Sequence, residues 1–210
     1  MKLQKLISKL EKHHKKKLDL SLGRTFNLLK KLGNPQDKLK NVVTVVGTNA
    51  KASMCYSLKS ILNQAGHKTN LYTSPHLLSY TERYVLDDKE INEEDLIELL
   101  TGVEKTLGDD NATLFEILTC AFLKYAENFK DNINIIEAGL FHQFDSTNVF
   151  KENLMTLIGV IHNDHFQWLE HGHGARCILV QVATQCVLQH GHINHAITAG
   201  YANHVAEGAN

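Results

Sequence analysis

The chain has 210 residues, with 22 Lys and Arg against 23 Asp and Glu and a formal net charge of −1. That balance gives no global pull on nucleic acid, and without a long apolar run no transmembrane segment is expected. An apolar fraction of 43% is enough for the core of one sizeable α/β domain, or of a domain and a fragment.

Leu3, Leu6, Ile7 and Leu10 share one face of a helix over residues 3–12, followed by the basic run His13-His14-Lys15-Lys16-Lys17. That run reads as a solvated helix end, with an anionic partner as the unsupported alternative. Leu22, Phe26, Leu29 and Leu32 predict a second amphipathic helix, capped by Ser21 and closed by Gly33 with Pro35 beyond. Val42-Val43-Thr44-Val45-Val46 reads as a buried parallel strand, because β-branched side chains suit a pleat covered on both faces. A helix is expected from near Ser53, with Cys55, Leu58, Ile61, Leu62 and Ala65 apolar and Gly66 ending it. Lys68 to Tyr72 is a second short strand. It runs into the loop Thr73-Ser74-Pro75-His76-Leu77, where Pro75 keeps Ser74 out of a helix.

Asn92 caps the next helix, with Glu93, Glu94 and Asp95 in the first turn where the dipole favours acidic groups. Its buried stripe is Leu96, Leu100, Val103 and Leu107, and Gly108 is the stop. Thr113 and Glu116 form a capping box for a helix whose stripe is Phe115, Leu118, Phe122 and Tyr125. Ile133-Asn134-Ile135-Ile136 makes a strand ending in Glu137, and Met155 to Ile161 another ending at His162-Asn163-Asp164-His165. This alternation predicts an α/β fold, a mostly parallel sheet with helices on both faces. Cys55 and Cys120 fall on helix faces that suit buried free thiols, so a reducing cytoplasm fits, and the Lys-rich, weakly apolar N-terminus does not read as a signal peptide.

The stretch Gly47-Thr48-Asn49-Ala50-Lys51-Ala52-Ser53 lies between the valine-rich strand and its helix. Strand, small-residue loop with a lysine, then helix is the layout of a phosphate cradle. Loop and helix N–H groups point at the anion, the helix dipole favours it, and the lysine adds a positive charge. The match to the Walker pattern is incomplete, since Ala50 holds the place of the usual glycine. An ordinary βα turn that contains a lysine is the alternative. In an open parallel sheet ligands bind at the carboxyl ends of strands, where Ser74, Glu137 and His165 are also expected. A triphosphate brings Mg²⁺, a hard ion that takes oxygen ligands, and these three offer a hydroxyl, a carboxylate and one nitrogen. Each alone has a plain structural reading, as a turn cap, an ion-pair partner or a loop histidine. Together at one edge they move the balance toward a metal site.

Several segments occur in one order across about residues 20–170. They are Leu32-Gly33-Asn34-Pro35, the 47–53 loop, Leu71-Tyr72-Thr73-Ser74-Pro75-His76-Leu77, Glu82-Arg83, Phe115-Glu116, Glu137-Ala138-Gly139-Leu140, Asp145-Ser146-Thr147-Asn148-Val149 and Asp164-His165. On these the chain resembles the folylpolyglutamate synthase and dihydrofolate synthase group of the Mur ligase superfamily. The resemblance implies a P-loop-type, Mur ligase central-domain-like ATP-binding domain over residues 1–170. It also implies ATP and Mg²⁺ as cofactors and ATP-dependent addition of L-glutamate to folate or dihydropteroate through an acyl phosphate. By the same resemblance the loop Gly47, Thr48, Asn49, Ala50, Lys51, Ala52 and Ser53 binds ATP, Lys51 contacts phosphate, and Ser74, Glu137 and His165 hold magnesium. A cytoplasmic monomer without nucleic-acid or membrane partners is expected.

The chain departs from that family at Ala50 and Ala52, where glycines are usual, and at Phe141-His142-Gln143, where the family has two glycines and an arginine. If position 50 needs φ > 0, its methyl group costs about 1 kcal/mol. Beyond Trp168-Leu169 the resemblance stops. The family's carbamate-forming lysine and its second, Rossmann-like domain have no counterpart here, so the 210 residues alone are expected to be inactive in ligation. From His171 to Asn210 there is no lysine, one arginine, one acidic residue and six histidines. This atypical tail, 171–210, reads as sequence foreign to the family, from a frame change or truncation. Cys177, Cys186, His190, His192 and His195 fit no usual zinc spacing. Three functions stay open: a folate–glutamate ligase fragment, another Mur-type amide ligase, and a non-catalytic nucleotide-binding protein.

Overall fold

The valine-rich stretch lies inside the parallel part of a sheet. Val42–Val46 forms β1, buried along its whole length. It runs between β5 (Ile133–Glu137) and β6 (Met155–Ile158), parallel to both. β2 (Thr69–Tyr72) is parallel to β5 on its far side, and β3 (Tyr84–Leu86) and β4 (Lys89–Glu90) extend that edge antiparallel. The computed structural model describes residues 2–13, 21–139 and 144–160, among which the strand order is β4-β3-β2-β5-β1-β6. The basic run after His13, Phe141-His142-Gln143, His165, the boundary near residue 170 and the tail 171–210 lie outside the described residues.

Alternation along the strands divides the interior into two layers. On one face Val42, Tyr72, Tyr84 and Ile136 pack with α1 (Lys2–Leu10), α2 (Gly23–Lys31), α4 (Glu93–Leu107) and α5 (Leu114–Ala126). On the other, Val45, Leu71, Val85 and Ile135 meet α3 (Lys51–Gln64) through Cys55, Met54, Leu58 and Leu62. Helices thus cover both faces, as the alternation predicts. No described helix is long and apolar enough to cross a membrane.

The expected caps of α4 and α5 form, whereas α2 begins after Leu22, which gives no side-chain cap, and the Ser21 hydroxyl accepts from the Gly23 N–H at 3.3 Å. Asn92 Oδ1 accepts from the Asp95 N–H at 2.8 Å, and the α4 stripe Leu96, Leu100, Val103 and Leu107 is buried. Thr113 and Glu116 close a reciprocal capping box, and Glu116 also takes two hydrogen bonds from the Arg24 guanidinium, at 2.9 and 3.2 Å. One carboxylate therefore caps α5 and pins α2 against it.

Other expectations change: the strand expected from Met155 ends at Ile158, with Gly159 and Val160 outside it. Helix α3 starts at Lys51 rather than near Ser53, and Ile61 is 64% exposed, because it projects past the arc of Met54, Leu58 and Leu62 that meets the sheet. In α2 the buried residues are Thr25, Leu28 and Leu29, while Phe26 is 45% exposed, about 100° off the face that meets α5. The hairpin β3–β4 is an element the periodicity does not announce. Its turn residues Asp87 and Asp88 have φ of 48° and 68°, the left-handed pair a tight hairpin needs and aspartate tolerates.

Tyr72, Tyr84 and Phe122 form the aromatic centre of the larger layer. Phe122 stacks on Tyr72 at 4.9 Å between centroids, and the Tyr84 hydroxyl donates to the Leu118 carbonyl at 2.8 Å. All three rings are fully buried, so there is no route for water into a void left among them. Phe122→Ala is expected to lower unfolding free energy by about 3–5 kcal/mol, read by urea denaturation.

Candidate functional site

Strands β2, β5 and β1 are adjacent and parallel, so their carboxyl ends open on one edge of the sheet. Each delivers a residue there. The 47–50 loop and Lys51 follow β1, Ser74 stands two residues beyond β2, and Glu137 is the last residue of β5. The register pairs Val45 with Glu137, which sets the carboxylate one residue short of the end of β1.

The loop after β1 is pressed against the end of β6. A Cβ on Gly47, whose φ is 146°, would lie 3.1 Å from the Gly159 Cα, and one on Gly159 would lie 3.1 Å from the Met54 sulfur. The N–H groups of Thr48 and Asn49 donate to the Val160 carbonyl at 2.8 and 3.4 Å. These two amides are therefore turned to β6 rather than left for an anion. Ala50 then adopts φ 64°, ψ 6°, the left-handed conformation, and no side chain caps the first turn of α3. Position 50 does need φ > 0. The Lys51 ammonium folds back to donate to the Thr48 carbonyl at 3.4 Å.

Glu137 is 3% exposed. Its Oε2 accepts from the Ser74 N–H at 2.9 Å, joining the ends of β2 and β5. Burial pushes its carboxyl above the ordinary value, while that amide and the charges of Lys51 and Arg83 pull it back. Beneath them the Cys55 thiol is raised far out of the reactive range by burial, with the Glu137 charge adding to it. Arg83 enters the site through this electrostatic coupling. The segment Glu82-Arg83 counts in the resemblance, but no local pattern assigns Arg83 to the field around Glu137. His165, the third expected ligand, lies outside the described residues.

Beyond Glu137 the backbone passes close to α5. A Cβ on Gly139 would lie 2.7 Å from Asp145 Oδ2 and 2.9 Å from the Phe115 ring, so any larger residue there would have to displace those side chains. Asp145 in turn accepts from the N–H and hydroxyl of Thr147, at 2.9 and 2.6 Å, which shapes the return toward β6.

The chain is similar in sequence and fold to known proteins. The chain is 35% identical over 163 residues to the dihydrofolate synthase/folylpolyglutamate synthase of Escherichia coli, and 36% identical over 155 residues to that of Bacillus subtilis. Escherichia coli FolC in complex with DHPP and ADP superposes with a TM-score of 0.76 at 34% identity, covering 84% of this chain and 42% of that one. The Yersinia pestis enzyme complexed with AMPPNP and Mn ion gives 0.75 at 32% identity, with the same coverages. Its homologues are dihydrofolate and folylpolyglutamate synthases of the Mur ligase superfamily. The matched stretches are 78% and 70% of this chain but only 38% and 36% of the two curated synthases. No family model matches the chain. The neighbouring synthase structures share the mostly parallel sheet and its flanking helices.

Ala50→Gly removes a Cβ from the left-handed region and is expected to raise stability by about 0.5–1 kcal/mol in urea denaturation, the relief of strain exceeding the extra unfolded-state entropy. Glu137→Gln keeps the acceptor for the Ser74 N–H and removes a buried charge. Because the folded carboxyl titrates above its ordinary value of 4.5, the native state takes up the proton first and the wild type gains stability as pH falls through that window. At pH 7 without metal, Glu137→Gln is therefore expected to melt at or above the wild type, the gap closing on acidification; calorimetry across pH 4–7 reads it.

Proposed function

We propose that this chain carries the ATP-binding, carboxylate-phosphorylating half of a ligase of the dihydrofolate/folylpolyglutamate synthase type. The observation that carries it is the convergence on one sheet edge of the β1–α3 loop with Lys51, of Ser74, and of Glu137 joined to Ser74 at 2.9 Å. An uncapped helix start with a lysine at its first position suits the outer phosphates of a nucleotide.

The residues present fit a magnesium ion. Its preferred donors are oxygens, and Glu137 and Ser74 supply a carboxylate and a hydroxyl. A carboxylate kept at 3% exposure with its proton affinity raised by burial is one whose desolvation a cation would offset. Glu137, Ser74 and, following the resemblance, His165 would hold it, and when bound it would neutralise charge on the transferring phosphoryl group.

A carboxylate does not condense with an amine directly, because its oxygen is a poor leaving group. In the proposed first step a substrate carboxylate oxygen attacks the γ-phosphorus of ATP, giving an acyl phosphate and ADP. The amine of L-glutamate then attacks the acyl carbon, an amide bond forms and phosphate leaves. Lys51 follows the charge that builds on the γ-phosphoryl oxygens, and the loop and α3 N-terminus fix the line of transfer. The acceptor class is folate or dihydropteroate. It rests on the homologues, one of which is solved with DHPP and ADP and another with L-glutamate, AMPPNP and Mn. Because the chain spans under two fifths of those curated relatives, the proposal for it stops at nucleotide binding and phosphoryl transfer. The buried free thiols Cys55 and Cys120 support a cytoplasmic setting.

A non-catalytic, nucleotide-binding reading draws on the left-handed Ala50 and on the Thr48 and Asn49 amides already turned to Val160. Phosphate release separates the two: binding without turnover in a full-length context favours the second. For the first, titration calorimetry of the folded chain should show Mg-ATP binding. Lys51→Ala should weaken it by about ten- to a hundredfold, the value of one charge-assisted phosphate contact. A folded sample that evolves no heat with Mg-ATP overturns the proposal.

A further inference from the structure

The loop between β2 and β3 brings Ser74 to Glu137, and one partly buried side chain gathers most of its amides. The Glu82 carboxylate accepts three backbone N–H groups, from Leu77 at 2.7 Å on Oε2 and from Leu78 and Ser79 at 2.8 and 2.7 Å on Oε1. Only the Ser79 bond is needed for the capping box of the single 3-10 turn Tyr80–Arg83. The other two reach further back and fold the ascending arm of the loop onto that turn. Two more ties close the loop below them. Arg83 Nε donates to His76 Nδ1 at 3.0 Å, and the Thr73 N–H donates to the Arg83 carbonyl at 3.3 Å. The His76 ring packs on Tyr80 at 4.2 Å, with the Arg83 guanidinium 5.0 Å from that ring.

The apolar residues of the arm contribute nothing to this order. Leu77 and Leu78 are 92% and 94% exposed, so burial does not place them. A five-residue span from Ser74 to Leu78 without buried side chains would sample many conformations if its amides were not held. We propose that Glu82 is a positioning residue for the metal site, which by gathering the Leu77, Leu78 and Ser79 amides fixes the loop that brings Ser74, through its backbone N–H, against the Glu137 carboxylate. The inference rests on the proposed role of Ser74 and Glu137 as cation ligands, and it adds a residue that touches neither the ion nor the nucleotide. Partners that orient a metal ligand from outside the coordination shell change affinity by about ten- to a hundredfold when lost.

The test uses Mn²⁺ as probe and reads the whole chain by NMR. Mn²⁺ should broaden the amide signals of Ser74 and Glu137 in the wild type. Glu82→Ala should strip hydrogen-exchange protection from the Leu77, Leu78 and Ser79 amides and weaken Mn²⁺ at least tenfold. Its far-UV circular dichroism and melting temperature should stay near wild type, since the carboxylate's hydrogen bonds run to loop amides and not to the core. Glu82→Gln keeps one acceptor oxygen, so it should fall between the two, holding Leu78 and Ser79 and releasing Leu77. Wild-type Mn²⁺ affinity in Glu82→Ala, with the three amides exposed, would reduce Glu82 to a turn brace and overturn the inference while leaving the metal site standing. Absence of Mn²⁺ broadening at Ser74 and Glu137 in the wild type would remove the metal reading itself, and the inference with it.

Discussion

A carboxylate at the end of a central strand, kept almost free of water and tied by one backbone N–H, is the constraint around which this edge is arranged. Burying Glu137 costs desolvation, and the structure offsets only part of it. The Ser74 amide sits on one oxygen, and the charges of Lys51 and Arg83 favour its ionised form. A side chain chosen for packing at that position would have been apolar, like Val45 opposite it on β1. The charges that partly offset the cost of Glu137 come from two residues at the same edge, Lys51 and Arg83.

The parallel order of β2, β5 and β1 is what makes that convergence possible. Three connections leave the same edge within two strand spacings of one another, each from a different part of the chain. The support lies behind the sheet. Tyr72, just before the Ser74 loop, is stacked on Phe122 and reaches Thr119 through its hydroxyl, so α5 anchors the strand that carries the loop. Glu116 at the start of α5 binds Arg24 of α2, which fixes α5 in turn. Rigid elements thus hold the base of the site, and the loop above it is held by hydrogen bonds and by the packing of His76 on Tyr80.

What was legible in the sequence follows from how local each signal is. The buried strand Val42–Val46 shows because four valines leave few other conformations, and the caps at Asn92 and Thr113–Glu116 show because their geometry spans three residues. Ser74 and Glu137 could be placed at one edge because strand ends in an alternating α/β chain all point one way. The β3–β4 hairpin stayed hidden because three apolar residues and an Asp-Asp pair make too short a pattern. The buried face of α2 is not legible from apolar residues alone, because the largest of them, Phe26, faces outward while Thr25, Leu28 and Leu29 are buried. The coupling of Arg83 to Glu137 joins residues 54 apart, and no window along the chain contains both.

Backbone conformation gives a separate sign that the loop after β1 is not an ordinary turn. Among the described residues five that are not glycine have positive φ: Asn34, Asn41, Ala50, Asp87 and Asp88. Four are Asn or Asp, whose short polar side chains make the left-handed region tolerable by local hydrogen bonds. Ala50 has no such group, and its neighbours leave it no alternative. Gly47 and Gly159 lie back to back behind it, and the Thr48 and Asn49 amides are fastened to Val160, so the chain must reverse within one residue to start α3. Strain that a single glycine would relieve has been kept where strand, lysine and helix start meet.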